Sequence, residues 1–253
     1  MAEGDLDTVG KASRLLVHLG TVPDGATLSE LSRATGFPPP STHRLLASLR
    51  RQDFVAFDPE SKRYALGLRL FQLGAAVSSA RGFTGIAVPV MRRLSETTGE
   101  ATLMSVRDGH HQLYIHHVEA RHNVVVKGET GKLGPLHCTS MGKVLIAFAD
   151  YDTREELIEN VELERFTPRT IVDRPTFRHE IGRVRAQGFA VADEEHELGI
   201  RAIGVPVLGP LGTAVAALSV PSPAYRNTLA AAMRFLPPLR DAAEQLSVLL
   251  PHT

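Results

Sequence analysis

The sequence contains little cysteine, no long apolar run and no net charge, and each of these absences excludes a class of protein. Cys138 is the only cysteine among 253 residues, so a disulfide-stapled secreted scaffold is excluded. No apolar run approaches the roughly 18 residues that a membrane span needs. The N-terminus is acidic and has no apolar core, which is not the pattern of a signal peptide. Lys and Arg total 28, as do Asp and Glu, which excludes a polybasic tail. We expect a cytoplasmic protein that does not associate with membranes.

The segment from Thr27 to Leu66 has the pattern of a winged helix-turn-helix. TLSELSRATG begins with a capping-box signature, Thr27 with Glu30, and ends at a glycine. PPPSTHRLLASLRRQ predicts a second helix, because prolines are tolerated in a first helical turn. FVAFDPESKRYAL then predicts a hairpin that turns at Asp58–Ser61.

This layout predicts binding to double-stranded DNA through the second helix and the wing. Positions 33–69 contain seven Lys and Arg against three acidic residues, a local excess that favours phosphate contacts. The modest size of the excess favours a dimer or higher assembly. The alternative is an ordinary helical hairpin with solvated arginines. The candidate DNA-binding residues are Ser29, Pro39, Pro40, Ser41, His43, Arg44, Ser48, Lys62 and Arg63.

Hydrophobic periodicity divides the rest of the chain. A helix is predicted at 9–19, so that a DNA-binding domain covers 1–66, a linker helix covers 67–82 and a second domain covers 83–253. In the second domain we expect helices and strands without regular β-α alternation, hence an α+β fold around a mainly antiparallel sheet. One strand is predicted at 122–129. The last helix is expected to start near Ala224 and to be interrupted at Pro237 and Pro238.

Three clusters could carry catalysis or metal binding, but their patterns favour structural roles. Cys138 with His137 or His196 would suit a Cys-dependent hydrolase, although neighbours in sequence are seldom catalytic partners. The acidic run 193–197 lacks a second ligand at matched spacing. Histidines also occur in two pairs, at 110–111 and 116–117. Because adjacent strand residues point to opposite faces, no more than one histidine of each pair faces inward. No phosphate-binding glycine loop is present. We therefore expect no catalytic residue, no metal and no cofactor.

A small-molecule pocket is the better candidate. In LHCTSMGK, Ser140 and Gly142 stand at the start of a predicted helix, where free N–H groups can hold a carboxylate. Ser219 lies in LSVPS on a late strand. The alternative is ordinary helix capping by Ser140 and a strand hydroxyl at Ser219.

These residues and several longer motifs resemble the IclR family of bacterial transcription regulators from about Val9 to Leu249. The matching motifs are TLSELSRATGFP, HRLLASL, YALGLRLFQLG, ETTGEA, GPLHCTSMGKVLIA, FTPRTI, VRAQGFAVADEEHELGIRA and VAALSVPSP. The resemblance implies an N-terminal winged helix-turn-helix, a helical linker used in dimerisation, and a C-terminal GAF-like effector-binding domain. It further implies a homodimer or homotetramer on palindromic operators, often acting as a repressor, with small organic acids or aromatic compounds as effectors.

Two departures from the family pattern carry information. Pro39 and Pro40 stand where members have a basic residue and Ser, so phosphate contact at that helix start differs here. Members that bind small polar acids commonly present an Asp and a Cys ten residues apart and two serines on the last strand. In this sequence the positions of the Asp, the Cys and the two serines are occupied by Ala192, Ala202, Ser219 and Pro221. The turn before the pocket helix contains Ser140 and Met141.

The loss of polar groups in the pocket favours an apolar ligand body with one polar end. We therefore predict a ligand-responsive regulator of a catabolic operon whose effector is an aromatic acid or a related aromatic compound, bound by these six residues and Gly142. Two alternatives remain: the hydrolase already described, and a DNA-binding regulator whose second domain has no small-molecule effector.

Overall fold

The computed structural model describes residues 6–119 and 130–251. The chain forms two compact units that divide between Ser78 and Ser79. The predicted strand at 122–129 lies outside the described residues.

The first unit packs three helices against a small antiparallel sheet. The helices are α1 (Thr8–Gly20), α2 (Leu28–Thr35) and α3 (Pro39–Arg51). The strands are β1 (Ala26–Thr27), β2 (Val55–Asp58) and β3 (Arg63–Leu66), in the order β1-β3-β2. Their apolar faces bury a core of Leu15, Leu19, Ala26, Leu31, Leu45, Leu46, Val55 and Tyr64. The expected winged helix-turn-helix is confirmed.

Local signals set the boundaries of this unit. The Thr27 hydroxyl accepts from the Glu30 N–H at 3.3 Å, and the Thr27 N–H donates to the Glu30 carboxylate at 2.7 Å, which forms the expected capping box. Gly36 ends α2 in the left-handed region, with φ 74°. The Asp58 carboxylate accepts from the Glu60 and Ser61 N–H groups and closes the wing turn.

The linker helix α4 runs over Leu68–Ala80, within the range predicted for it. None of its residues is buried.

The described residues of the second unit form six α-helices after α4. They are α5 (Val88–Thr98), α6 (Ser140–Ala147), α7 (Tyr151–Asn160), α8 (Arg174–Gln187), α9 (Leu229–Ala232) and α10 (Leu236–Leu249). A π-helical turn, Phe83–Ala87, precedes α5, and a 3-10 turn, Met233–Phe235, joins α9 to α10.

One antiparallel sheet organises this unit. Its strands are β4 (Thr102–Asp108), β5 (His111–Val118), β6 (Leu133–Pro135), β7 (Ala190–Asp193), β8 (Ile200–Leu208) and β9 (Ala214–Pro223). Their order is β6-β5-β4-β9-β8-β7. Helices and an antiparallel sheet confirm the predicted α+β class.

Helices cover both faces of the sheet, and the alternation of each strand decides which side chains meet which helices. On one face Ile203 and Leu218 pack with α5 and α10. On the other face Leu103 and Ala217 pack with α6, α7 and α8. The candidate pocket lies on this second face.

Two expectations about the second unit were wrong. Pro237 and Pro238 do not interrupt the last helix but occupy its first positions, where the missing N–H groups have no intrahelical partner to lose. The chain between Ala224 and Thr228 precedes α9 and is not helical. The short strand β6 was not predicted, since three residues with a glycine and a proline carry no alternation.

Gly142 holds α6 close to the preceding segment. A Cβ at this position would overlap the backbone of Leu136. Gly182, in α8, faces open space.

We expect Gly142→Ala to destabilise the protein by about 1–3 kcal/mol, the usual cost of overpacking against backbone that cannot move aside. Gly182→Ala is the matched control and should instead stabilise by roughly 0.5–1 kcal/mol, because it removes a flexible residue from a helix interior. Urea unfolding of both variants measures the difference. An unchanged midpoint for Gly142→Ala would show that α6 is not held by this contact.

Candidate functional site

The exposed face of α3 gathers most of the candidate DNA-binding residues. Thr42, Leu45 and Leu46 are buried and fix the rotation of the helix. Helical spacing then leaves Pro39, Pro40, His43, Arg44 and Ser48 exposed together, with Ser41 half-buried. Ser29 is exposed at the start of α2.

The start of α3 offers few backbone donors. Pro38 is the N-cap and makes no side-chain capping bond, and Pro39 and Pro40 follow as the first two helical residues. Prolines have no N–H, and the Thr42 N–H donates to the Pro38 carbonyl at 3.0 Å. The Ser41 N–H is therefore the donor that this helix start can offer to a phosphate.

The two cations of the wing are held differently. Lys62 is exposed in the turn. Arg63, at the start of β3, donates to the Gly25 carbonyl at 2.8 Å and contacts the Glu30 carboxylate at 3.4 Å. Its guanidinium therefore ties the wing to the start of α2, a role that the sequence did not predict.

The second candidate site is a cavity of about 230 Å³ between the sheet and the start of α6. Six of the seven predicted pocket residues line it: Ser140, Met141, Ala192, Ala202, Ser219 and Pro221. The register explains why residues far apart in sequence meet here. Ala192 pairs with Ala202 across β7 and β8, and Ala202 pairs with Pro221 across β8 and β9. These three form one apolar row across the sheet.

The next row brings the sheet close to α6. Ser219 pairs with both Leu103 and Gly204. A Cβ on Gly204 would lie 2.8 Å from the Ser140 carbonyl carbon, so glycine allows the helix start to approach the strand. The Ser140 and Ser219 hydroxyls are hydrogen-bonded at 2.9 Å.

The expected role of Gly142 needs correction. Its N–H donates to the Thr139 hydroxyl at 3.0 Å, and the residue does not line the cavity. Thr139 is the N-cap of α6, so ordinary capping takes this donor. The early N–H groups that remain for a ligand are those of Ser140 and Met141.

The sequence did not predict several other lining residues as part of a pocket. They are Leu103, Tyr114, Lys132, Leu133, Gly134, Pro135, Thr139, Glu195, His196, Glu197 and Ile200. Of these, Glu195 lies in the acidic run 193–197, for which we expected a structural role as a solvated or interface-forming loop, yet it is only 8% exposed. Its burial next to Lys143 could have been suspected from the apolar surroundings of that lysine in SMGKVLIA.

The hydrolase alternative is wrong. Cys138 is fully buried, and burial raises the pKa of its thiol to about 12. The His137 Nε2–H donates to the Glu164 carbonyl at 2.9 Å, and burial lowers the pKa of His137. A protonated, inaccessible thiol is not a nucleophile.

The histidine pairs and the acidic run do not converge on a metal site. Among the described residues, no group of three or more His, Cys, Asp or Glu side chains could hold a metal ion. His110 contacts Glu156 at 2.8 Å instead. Arg201 forms an ion pair with Asp193, and its guanidinium also lies 3.3 Å from Glu194. Within the same described ranges, no helix is long and apolar enough to cross a bilayer.

Family models cover both units of the chain. Residues 8–59 match the IclR helix-turn-helix domain. Residues 75–248 match the C-terminal domain of the bacterial transcriptional regulator IclR.

Individual proteins match over nearly the whole length. The HTH-type transcriptional regulator KdgR of Escherichia coli is 32% identical, with 98% of this chain and 96% of KdgR covered. The HTH-type transcriptional repressor AllR of Salmonella typhi is 31% identical, with 93% and 87% covered. An IclR homologue from Microbacterium hydrocarbonoxydans, solved in complex with 4-hydroxybenzoate, has a TM-score of 0.81 at 22% identity, with 96% and 98% covered.

The regulators in this comparison are not enzymes, and their two domains occur here in the same order. The chain belongs to the IclR family of bacterial transcriptional regulators.

Proposed function

We propose that this regulator is a repressor of a catabolic operon whose DNA binding responds to a small aromatic acid or a related aromatic compound. The observation that carries the proposal is the apolar row formed by Ala192, Ala202 and Pro221 on the cavity floor. An unbroken apolar row favours a flat apolar body, because a small polar acid would lose its water without gaining hydrogen bonds there.

The polar end of the effector would lie at the start of α6. The Ser140 and Met141 N–H groups, the Ser140 hydroxyl and the Ser219 hydroxyl are at this end of the cavity. A helix N-terminus favours a carboxylate through its free donors and its dipole.

One structural neighbour supports the class of ligand. The Microbacterium hydrocarbonoxydans homologue is complexed with 4-hydroxybenzoate. At 22% identity the similarity concerns the fold, so the complex supports only the capacity of this architecture to take an aromatic acid.

Ala192→Asp should weaken the binding of benzoate-type acids by a few kcal/mol, roughly, because it places a carboxylate without a partner in an apolar row. Calorimetric titration of the wild type and the variant measures this loss. Ala230→Asp, on the exposed surface of α9, is the control and should leave the affinity unchanged.

The same titration is run with glyoxylate and pyruvate. Tighter binding of these keto acids than of benzoate-type acids would overturn the aromatic assignment. Absence of thermal stabilisation by every ligand tested would favour a regulator without an effector.

We assign operator recognition to α3 and the wing. Leu45 and Leu46 face the core, and Arg44 is exposed on the opposite side of α3, one turn from the helix start. A guanidinium in this position can contact a phosphate or a guanine edge, while Lys62 lies along the backbone of the neighbouring groove.

Arg44→Ala should weaken operator binding by about 1–3 kcal/mol, as expected for the loss of one base or phosphate contact. Gel-shift titration over a range of salt concentrations, on an operator selected from random DNA, measures the loss and the salt slope. Arg92→Ala, an exposed arginine of α5, is the matched control. Equal affinities for a folded Arg44 variant and the wild type would remove Arg44 from the interface.

We further propose a homodimer or homotetramer built on α4. Leu68, Phe71 and Val77 are 80%, 75% and 57% exposed, a density of apolar surface that marks an interface. A second copy is the occupant that also explains DNA binding, since an isologous pair places two α3 helices on a palindrome.

Phe71→Glu combined with Val77→Glu should convert the assembly to monomer and abolish cooperative binding to a two-half-site operator. Light scattering at micromolar concentration measures the mass. Ser79→Glu, a polar change in the same helix, is the control for added charge. A wild type that is monomeric both free and on DNA would contradict the proposal.

A further inference from the structure

A buried cluster of charged residues stands behind the effector cavity. Lys143, in α6, is 1% exposed. Its ammonium group donates to Glu195 at 2.6 Å, to the Val191 carbonyl at 3.0 Å and to Glu180 at 3.1 Å. Three donors thus meet three acceptors, which fully satisfies the lysine.

The cluster is balanced in charge but not in hydrogen bonds. Arg183 donates to both oxygens of Glu180, at 2.9 and 2.8 Å, so Lys143 and Arg183 offset Glu180 and Glu195. Glu195 differs from Glu180 in one respect. Its Oε1 accepts from Lys143, whereas its Oε2 is buried and has no hydrogen-bond partner among the described residues.

Glu195 is also held in place through its backbone. Its carbonyl accepts from the Thr170 hydroxyl at 2.6 Å, and the carbonyl of Glu194 accepts from the Thr167 hydroxyl at 2.7 Å. These threonines belong to the FTPRTI motif, which therefore fixes the loop after β7. Glu195 lines the effector cavity and does not line the neighbouring cavity around His137.

An unpaired buried carboxylate oxygen is costly, and a ligand that supplies a donor recovers that cost on binding. We propose that Glu195 is a specificity-determining residue that accepts a hydrogen bond from a hydroxyl or amino group of the effector. The inference rests on the proposed function: the acid end occupies the start of α6, and a donor elsewhere on the ring meets Glu195. The effector is then a hydroxy- or amino-substituted aromatic acid.

Burial raises the pKa of the Glu195 carboxyl against the opposing effect of Lys143. A donor from the ligand would favour the ionised form and lower that pKa.

The test is a calorimetric comparison of benzoate with its hydroxy, amino and methoxy derivatives at the meta and para positions, on the full-length wild type and on Glu195→Gln. The methoxy group keeps the ring-bound oxygen of the hydroxy derivative but has no hydrogen to donate. We expect a hydroxy or amino derivative at one position to bind roughly tenfold or more tightly than benzoate, and its methoxy analogue to show no such gain. In Glu195→Gln the amino derivative should lose this advantage.

Glu244→Gln is the matched control, because it removes the same charge from an exposed residue of α10 that does not line the cavity. It should leave the affinities of benzoate and its derivatives, and therefore their ratio, unchanged. Thermal melting verifies that each variant is folded. If Glu195→Gln does not fold, the wild-type series still decides between donor recognition and a purely structural glutamate.

The outcomes separate the two proposals. Binding of benzoate and all derivatives with equal affinity, a methoxy gain equal to the hydroxy gain, or an amino advantage that persists in Glu195→Gln overturns the role of Glu195 and leaves the aromatic effector standing. Failure of every aromatic acid to bind overturns the aromatic effector, and this inference falls with it.

Discussion

The effector-binding unit depends on how closely α6 approaches the sheet. Gly204, in β8, permits this approach because it leaves room for the Ser140 carbonyl, and Gly142 lets α6 pack against the backbone of Leu136 in the segment that precedes the helix. The start of α6 thereby reaches Ser219, and Lys143, one position beyond Gly142, is carried into the interior. The cavity, its helix N-terminus and its buried ion cluster all follow from this one close contact, since a side chain at either glycine would move the helix outward.

The cavity combines an apolar floor with polar lining groups. Ala192, Ala202 and Pro221 form the floor because strands β7, β8 and β9 pair in a fixed register. Ser140 and Glu195 are among the polar lining residues. Such a site gains affinity from the apolar ring of a ligand and selectivity from its substituents, because each unmet polar group inside it carries a desolvation cost. Affinity and selectivity are thus assigned to different residues.

In the DNA-binding unit, too, different residues position the helix and present its exposed surface. Buried Thr42, Leu45 and Leu46 set the rotation of α3, while the exposed side of the helix carries Arg44 and Ser48. Arg63 is engaged by Gly25 and Glu30, so the wing is fixed to α2 and leaves Lys62 as its exposed cation. Because prolines replace two donors at the start of α3, we expect operator recognition to rely on side chains more than on the helix terminus.

The sequence by itself determined the elements whose signals are local: the capping box of α2, the end of α2 at a glycine and the wing turn at Asp58. It also predicted the α+β class. It also predicted six residues that line the cavity of this structure, through the resemblance to the IclR family. The tertiary structure alone decided three things. It assigned the Gly142 N–H to Thr139, placed Pro237 and Pro238 at a helix start, and buried Glu195 against Lys143. Glu195 meets Lys143 across 52 positions of the chain, so packing between distant segments decided its burial. The other two outcomes are choices between alternatives that the local sequence permits: a cap by Thr139 rather than by Ser140, and a helix start rather than a helix break.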